Sequence, residues 1–229
     1  MPSLSPSRQP RGGLAKSRWL SAIEFAFGAC VVIGHNVLRA LPNEVPILAA
    51  LGLLSVRLRE GGWAAIGLAR PSSWRRTVTL AVGAATLRVL LGEFVVGPIT
   101  SRFWPPAAQP AAAGAIPGHL GAALLALLFV WTFAAFGEEI AYRGYLIQRA
   151  ADVGRRSAAS YLVAMVLVAV LFGYGHYYKG PSGIVDSGVA GLVLGTAYLL
   201  SGRNLWVAIL AHGMIDTYAV VVIYLGWAG

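Results

Sequence analysis

The sequence predicts an all-α fold, a polytopic bundle of about seven transmembrane helices, and three observations carry that prediction. The chain of 229 residues is 57% hydrophobic and only 12% charged, with a mean hydropathy of +0.68, too apolar for an ordinary soluble domain. Apolar runs recur at about the 20-residue length that crosses a bilayer. The net charge of +9 comes from lysines and arginines that fall at the ends of those runs. Cations placed this way are topology signals. Nucleic-acid binding would gather them on one stripe with interleaved aromatics, and that class is set aside.

Taken in order, residues 1–18 are rich in serine, proline and arginine and read as a basic cytoplasmic arm. The apolar segment after them runs to about residue 41, longer than a signal-peptide core, so it is expected to remain as a first span. Candidate spans are 20–41, 44–58, 77–98, 119–143, 157–175, 184–201 and 204–226, the second of them short. Pro42 and Pro46 punctuate the first turn; Pro105, Pro106, Pro110 and Pro117 mark a long connection between the third and fourth spans. The chain divides into the arm at 1–18, N-terminal spans at 19–118 and a core at 119–226. With the N-terminus inside, cytoplasmic segments hold Arg8, Arg11, Lys16, Arg18, Arg57, Arg59, Arg70, Arg75, Arg76, Arg143, Arg149, Arg155, Arg156 and Arg203. The other side holds only Arg39, Arg102 and Lys179. That bias sets the N-terminus in the cytoplasm of an integral protein of a bacterial cell membrane. A single cysteine, Cys30, rules out an internal disulfide.

An ionisable group at bilayer depth costs about 2.5–3.5 kcal/mol on insertion scales, so it marks function by default. The chain has nine acidic residues and four histidines, and five of these fall in three short clusters. The first is Phe136-Gly137-Glu138-Glu139-Ile140-Ala141-Tyr142-Arg143. A continuing helix puts Glu139 and Arg143 four apart on one face, with the glutamate N-terminal, the favourable order for a pair. Glu138 points about 100° away, without that partner. Two adjacent carboxyls in unlike environments suit general acid–base work; the plain alternative is a helix meeting its first charges as it leaves the membrane. The second cluster, Phe172-Gly173-Tyr174-Gly175-His176-Tyr177-Tyr178, also suits an interfacial aromatic belt. In the third, His212 and Asp216 lie four apart deep in an apolar run. The carboxylate can hold the imidazole in one tautomer or share a ligand with it. Glu24, His35, Asn36, Arg39, Arg88 and Glu93 are expected to pair with one another or to reach an interface. His119 stands at a span start outside the site, and Tyr142, Tyr145 and Tyr174 are candidates to line a cavity.

Together the clusters resemble the CPBP family of intramembrane proteases, also called the Abi or type II CAAX-protease family. Its pattern is E-E-x-x-x-R, then F-x-x-x-H, then H-x-x-x-N or a related polar residue. Here it reads Glu138-Glu139-x-x-x-Arg143, Phe172-x-x-x-His176 and His212-x-x-x-Asp216, over roughly residues 119–220. Gly67-Leu68-Ala69-Arg70-Pro71 with Trp74 looks like an element common upstream of that core. The resemblance implies hydrolysis of a peptide bond in a membrane-associated protein or peptide precursor, at a site enclosed by helices. It implies that Glu138 activates water with His176, that His212 and Asp216 support the oxyanion, and that Glu139 and Arg143 hold the helix. One departure matters. Asparagine can donate to an oxyanion, whereas an ionised aspartate only accepts, so Asp216 must be protonated, orient His212 or join a metal site. No cofactor is favoured; a zinc ion would take Glu138, His176, His212 and Asp216 as ligands.

Two other functions compete: a non-enzymatic scaffold or bacteriocin-immunity-type protein of the same family, and a proton-coupled transporter using the same residues as a relay. Three intact motifs argue against the first; the small size and the lack of paired, similarly interrupted halves argue against the second. Helix rise adds an expectation about depth. Glu138 lies roughly 18 Å from a helix end near Arg149, His212 roughly 14 Å from a start near Arg203, and His176 roughly 28 Å from a start near Ser157. Straight, equal helices therefore put His176 out of level with the other two.

Overall fold

In the computed structural model, which describes residues 17–227, the chain forms α1 (Arg18–Asn36), α2 (Glu44–Arg59), α3 (Trp74–Thr100), α4 (Leu120–Val153), α5 (Ala158–Tyr174), α6 (Tyr177–Leu200) and α7 (Leu205–Tyr224). The described residues include no strand. The basic arm as far as Lys16, with Arg8 and Arg11, lies outside the described residues. Side-chain caps set five of the helix starts. Ser17, Asn43, Ser73, Ser157 and Asn204 each accept a hydrogen bond from a first-turn backbone N–H of the helix that follows, the role these residue types favour.

The helices α1, α3, α4, α6 and α7 are long and apolar enough to cross a membrane. The other two are shorter, 16 residues for α2 and 17 for α5. Their lengths of roughly 24–26 Å fall short of the roughly 30 Å hydrocarbon core, so each has an end inside the membrane thickness. Both of those ends contribute to the site described below. Along the first half of α4, Leu124, Leu125, Leu128 and Phe129 are all more than half exposed. So much apolar surface on a long helix is what a lipid-facing segment requires.

A buried ion cluster ties the ends of α1, α2 and α4. Arg149, fully buried, meets Glu24 at 3.0 Å, Glu60 at 2.8 Å and Asp152 at 2.8 Å. Arg59 joins it through Glu24 at 3.1 Å and the Ser21 hydroxyl at 2.8 Å. Elsewhere Arg88 of α3 pairs with Asp186 of α6, and His35 with Glu44. Glu24, His35 and Arg88 thus find partners in other residues, whereas the sequence expected them either to pair with one another or to reach an interface.

The segment between α2 and α3 fixes the level at which α7 begins. Gly67 has φ +86°, and a Cβ there would lie 1.9 Å from the Arg203 carbonyl oxygen and 2.7 Å from the Leu205 nitrogen. Its own carbonyl accepts from the Leu205 N–H at 3.2 Å. Leu205 in turn packs against Gly144 in the middle of α4, where a Cβ would meet its side chain at 3.5 Å. So α7 starts beside Gly144 rather than beside the end of α4. Counting from Val153, Gly144 is about 13 Å along α4 and His212 about 10 Å further, while Glu138 is about 22 Å from the same end. Glu138 and His212 thus come to nearly one depth, as the rise count expected, and His176 joins them through Phe172, whose ring lies against both histidines. Gly67→Ala is expected to cost at least the roughly 1–3 kcal/mol of a left-handed non-glycine residue, and to displace α7 as well. Gly202→Ala, at φ +73° with nothing within 4 Å of the added carbon, carries the backbone strain alone. Thermal melts of the two variants check this: equal destabilisation would remove Gly67 from the seating of α7.

Candidate active site

The first motif sits where α4 is widened. From Val130 to Glu138 and again from Ile140 to Leu146 the helix winds as π-helix, a rare form that is frequent at functional sites. A local cause precedes it: the Thr132 hydroxyl donates to the Leu128 carbonyl at 2.6 Å, competing for the acceptor that α-winding gives to the Thr132 N–H. Gly137 then lets the start of α2 come close, since a Cβ there would lie 2.9 Å from Val45 Cγ1.

Glu139 is the hub. It is fully buried, and its Oε1 accepts from Arg143 Nη1 at 2.6 Å and from His212 Nδ1 at 2.7 Å. Arg143 Nη2 donates to the Gly191 carbonyl at 3.1 Å, so one buried pair binds α4, α6 and α7 together. A carboxylate only accepts, so Nδ1 of His212 carries the proton in that contact and Nε2 is turned to the other side. Asp216 Oδ2 lies there, 3.5 Å from Nε2, an ion-pair distance. The sequence expected Asp216 to hold the imidazole; the closer carboxylate is Glu139.

Phe172 explains the aromatic position in its motif. Its buried ring carries the Arg143 guanidinium 4.6 Å from its centroid and meets Tyr142 edge-on at 5.0 Å. His176 lies 4.8 Å and His212 5.9 Å away, so the ring is the common wall between both histidines and the arginine. His176 occupies the turn between α5 and α6, half-buried, with Nδ1 2.9 Å from the Phe172 carbonyl oxygen. The carbonyl can only accept, which fixes Nδ1 as the protonated nitrogen and leaves the Nε2 lone pair free in the neutral ring.

Glu138 differs from its neighbour in its partners. Both keep a buried Oε2 without a hydrogen-bond partner among the described residues, but Glu138 also lacks any ion pair such as Glu139 Oε1 makes with Arg143 and His212. Of the tyrosines considered, Tyr142 reaches the site, Tyr145 packs towards Arg149 and Tyr174 is exposed. Two residues escaped the sequence reading. Trp131 donates through Nε1 to Thr217 at 3.2 Å and lies over Gly213, where a Cβ would be 2.5 Å from its ring. Glu44, at the start of α2, approaches Tyr142. A glutamate opening an apolar helix looks like ordinary compensation of the helix dipole, and that hid it.

Among the described residues, no three histidine, cysteine, aspartate or glutamate side chains gather so as to hold a metal ion. Nδ1 of His212 donates to Glu139 and Nδ1 of His176 to a carbonyl, the outer contact that metal-ligating histidines also make, so each ring offers only Nε2 to a reacting water or a metal ion.

Residues 120–218 match the family described as type II CAAX prenyl endopeptidase Rce1-like. They form a domain of the CPBP family. Comparison with curated proteins and with solved structures gives no match. The CPBP domain runs from the start of α4 into α7 and contains all three motifs. Together with the apolar helices it supports an integral membrane endopeptidase, with the bilayer and a peptide as its partners.

Proposed function

We propose that the chain is a glutamate-type intramembrane endopeptidase that hydrolyses a peptide bond in a membrane-associated protein or peptide precursor. One observation carries this reading: of two adjacent glutamates, Glu139 is tied through Oε1 to both Arg143 and His212, while Glu138 has neither an ion pair nor a hydrogen bond among the described residues. The uncommitted carboxylate is the group able to take a proton. In the proposed reaction a water oxygen attacks the peptide carbonyl carbon as its proton passes to Glu138, with Nε2 of His176 as the second acceptor for that water. In its doubly protonated form His212 donates Nε2–H to the developing oxyanion, held there by Glu139 on the far nitrogen. The C–N bond then breaks as Glu138 returns the proton to the leaving nitrogen, and the free acid and amine depart. Glu139 and Arg143 position the histidine and hold three helices together.

Under this metal-free reading Asp216→Asn keeps or raises activity, because the amide can donate to the oxyanion and no longer competes for Nε2–H of His212. Strong chelators have little effect. Stoichiometric zinc in active protein, lost together with cleavage on chelation, would overturn the metal-free assignment. The reading as a whole is tested with purified protein in liposomes and a panel of membrane-anchored peptides, product termini being identified by mass spectrometry. Cleavage of an anchored peptide, with its anchor-free counterpart spared, is expected. Folded protein that cleaves none of them would favour a scaffold.

A further inference from the structure

We propose that His35, Glu44 and Tyr142 form a proton path between Glu138 and the membrane face at the α1–α2 turn, a role that rests on Glu138 being the base. Tyr142 is 1% exposed and its hydroxyl lies 3.5 Å from Glu44 Oε1. The other oxygen of Glu44, Oε2, lies 3.4 Å from Nε2 of His35, whose side chain is 30% exposed. Nδ1 of His35 is 2.9 Å from the Leu41 carbonyl oxygen, which orients the ring so that Nε2 faces the glutamate. At the inner end, Tyr142 follows Glu138 by four positions, about one turn further along α4. The side chains thus lead in sequence from a solvent-reaching imidazole to the uncommitted glutamate of the first motif.

Two glycines and one short helix make the arrangement possible. Gly137 admits the start of α2 against the turn that holds Glu138. Gly175 leaves room for the phenol, since a Cβ there would lie 2.7 Å from the Tyr142 hydroxyl oxygen. At 16 residues α2 stops short of the full membrane thickness, so Glu44 stays at the level of the site. Favourable charge at a helix N-terminus accounts for Glu44 alone. It does not account for the Tyr142 hydroxyl on one oxygen and a histidine on the other.

An enclosed hydrolase has a use for such a path. Its products form as a carboxylic acid and an amine but leave as carboxylate and ammonium, so protons must pass between the site and bulk water. Buried carboxylate–histidine chains serve as proton relays in membrane proteins. Here the shift balances: a proton moves from Glu138 to the Tyr142 oxygen as the phenol's own proton passes to Glu44 Oε1. Rotation of the Glu44 carboxyl then carries that same proton to Nε2 of His35, and the imidazolium loses one to water. The reverse sequence delivers a proton inward.

The test compares Tyr142→Phe, which keeps the ring, with Glu44→Gln, which keeps the shape, in full-length reconstituted protein cleaving an anchored peptide. Each is expected to lower kcat by about tenfold or more, with KM changed less than about twofold and a larger solvent deuterium effect on kcat. Added imidazole restores part of the rate in Glu44→Gln and none in Glu138→Gln. If Glu44→Gln does not fold, Tyr142→Phe and His35→Gln carry the comparison. Unchanged kcat in the path variants, beside an inactive Glu138→Gln, overturns the path and leaves the base in place. A lowered kcat with neither imidazole rescue nor a changed isotope effect assigns these residues to packing and overturns it equally. Full activity in Glu138→Gln removes the base, and the path with it.

Discussion

Glu138→Gln is expected to lower kcat/KM by at least about 100-fold, the lower range for loss of a general base, while the protein inserts and melts as the wild type does. The substitution keeps volume and polarity and removes only the ability to take a proton from water. Its structural cost is small because Glu138 Oε2 makes no hydrogen bond that the amide would break. Cleavage assays beside thermal melts check both halves. More than a tenth of wild-type cleavage in the variant would remove Glu138 from the chemistry.

Arg143→Ala is expected to act the other way round, with the yield of folded protein falling first. Removing one member of a buried ion pair strands the other charge at about 3–5 kcal/mol. Arg143 is 1% exposed and also donates to Gly191 and covers the face of Phe172, so a cavity adds to the loss. Glu139→Gln is the milder change, since its amide oxygen can still accept from His212 or from Arg143. Both are expected to melt below Glu138→Gln, in the order Arg143→Ala, Glu139→Gln, Glu138→Gln from least to most stable. Normal melting of the first two with activity selectively lost would move the pair from architecture into the reaction.

Much of this was legible in the sequence because it is local. The helices follow from apolar runs that proline, glycine and capping residues interrupt, and the four-residue spacing of Glu139 and Arg143 by itself puts them within reach of each other. What was not legible depends on packing between distant segments. Nothing near Gly67 announces that its bare backbone seats the start of α7, and nothing in the rise count brings His176 level with Glu138 and His212. The partner on Nδ1 of His212 lies 73 residues away, whereas Asp216 was visible at one helical turn. Arg143 looked like one more loop cation in the orientation count, yet it is buried, a distinction that charge counting cannot make. The π-winding of α4 has a sequence correlate only in Thr132, whose hydroxyl is unremarkable in an apolar run.

The central claim is that Glu138 activates water for direct attack on a membrane-held peptide bond, and isotope labelling tests it most directly. In a single turnover by excess wild-type protein in H2(18)O, one heavy oxygen is expected in the new C-terminal carboxyl of the product and none in the Glu138 side chain. Heavy oxygen recovered in Glu138, with an unlabelled product from the first turnover, would contradict the account: the glutamate would then be a nucleophile.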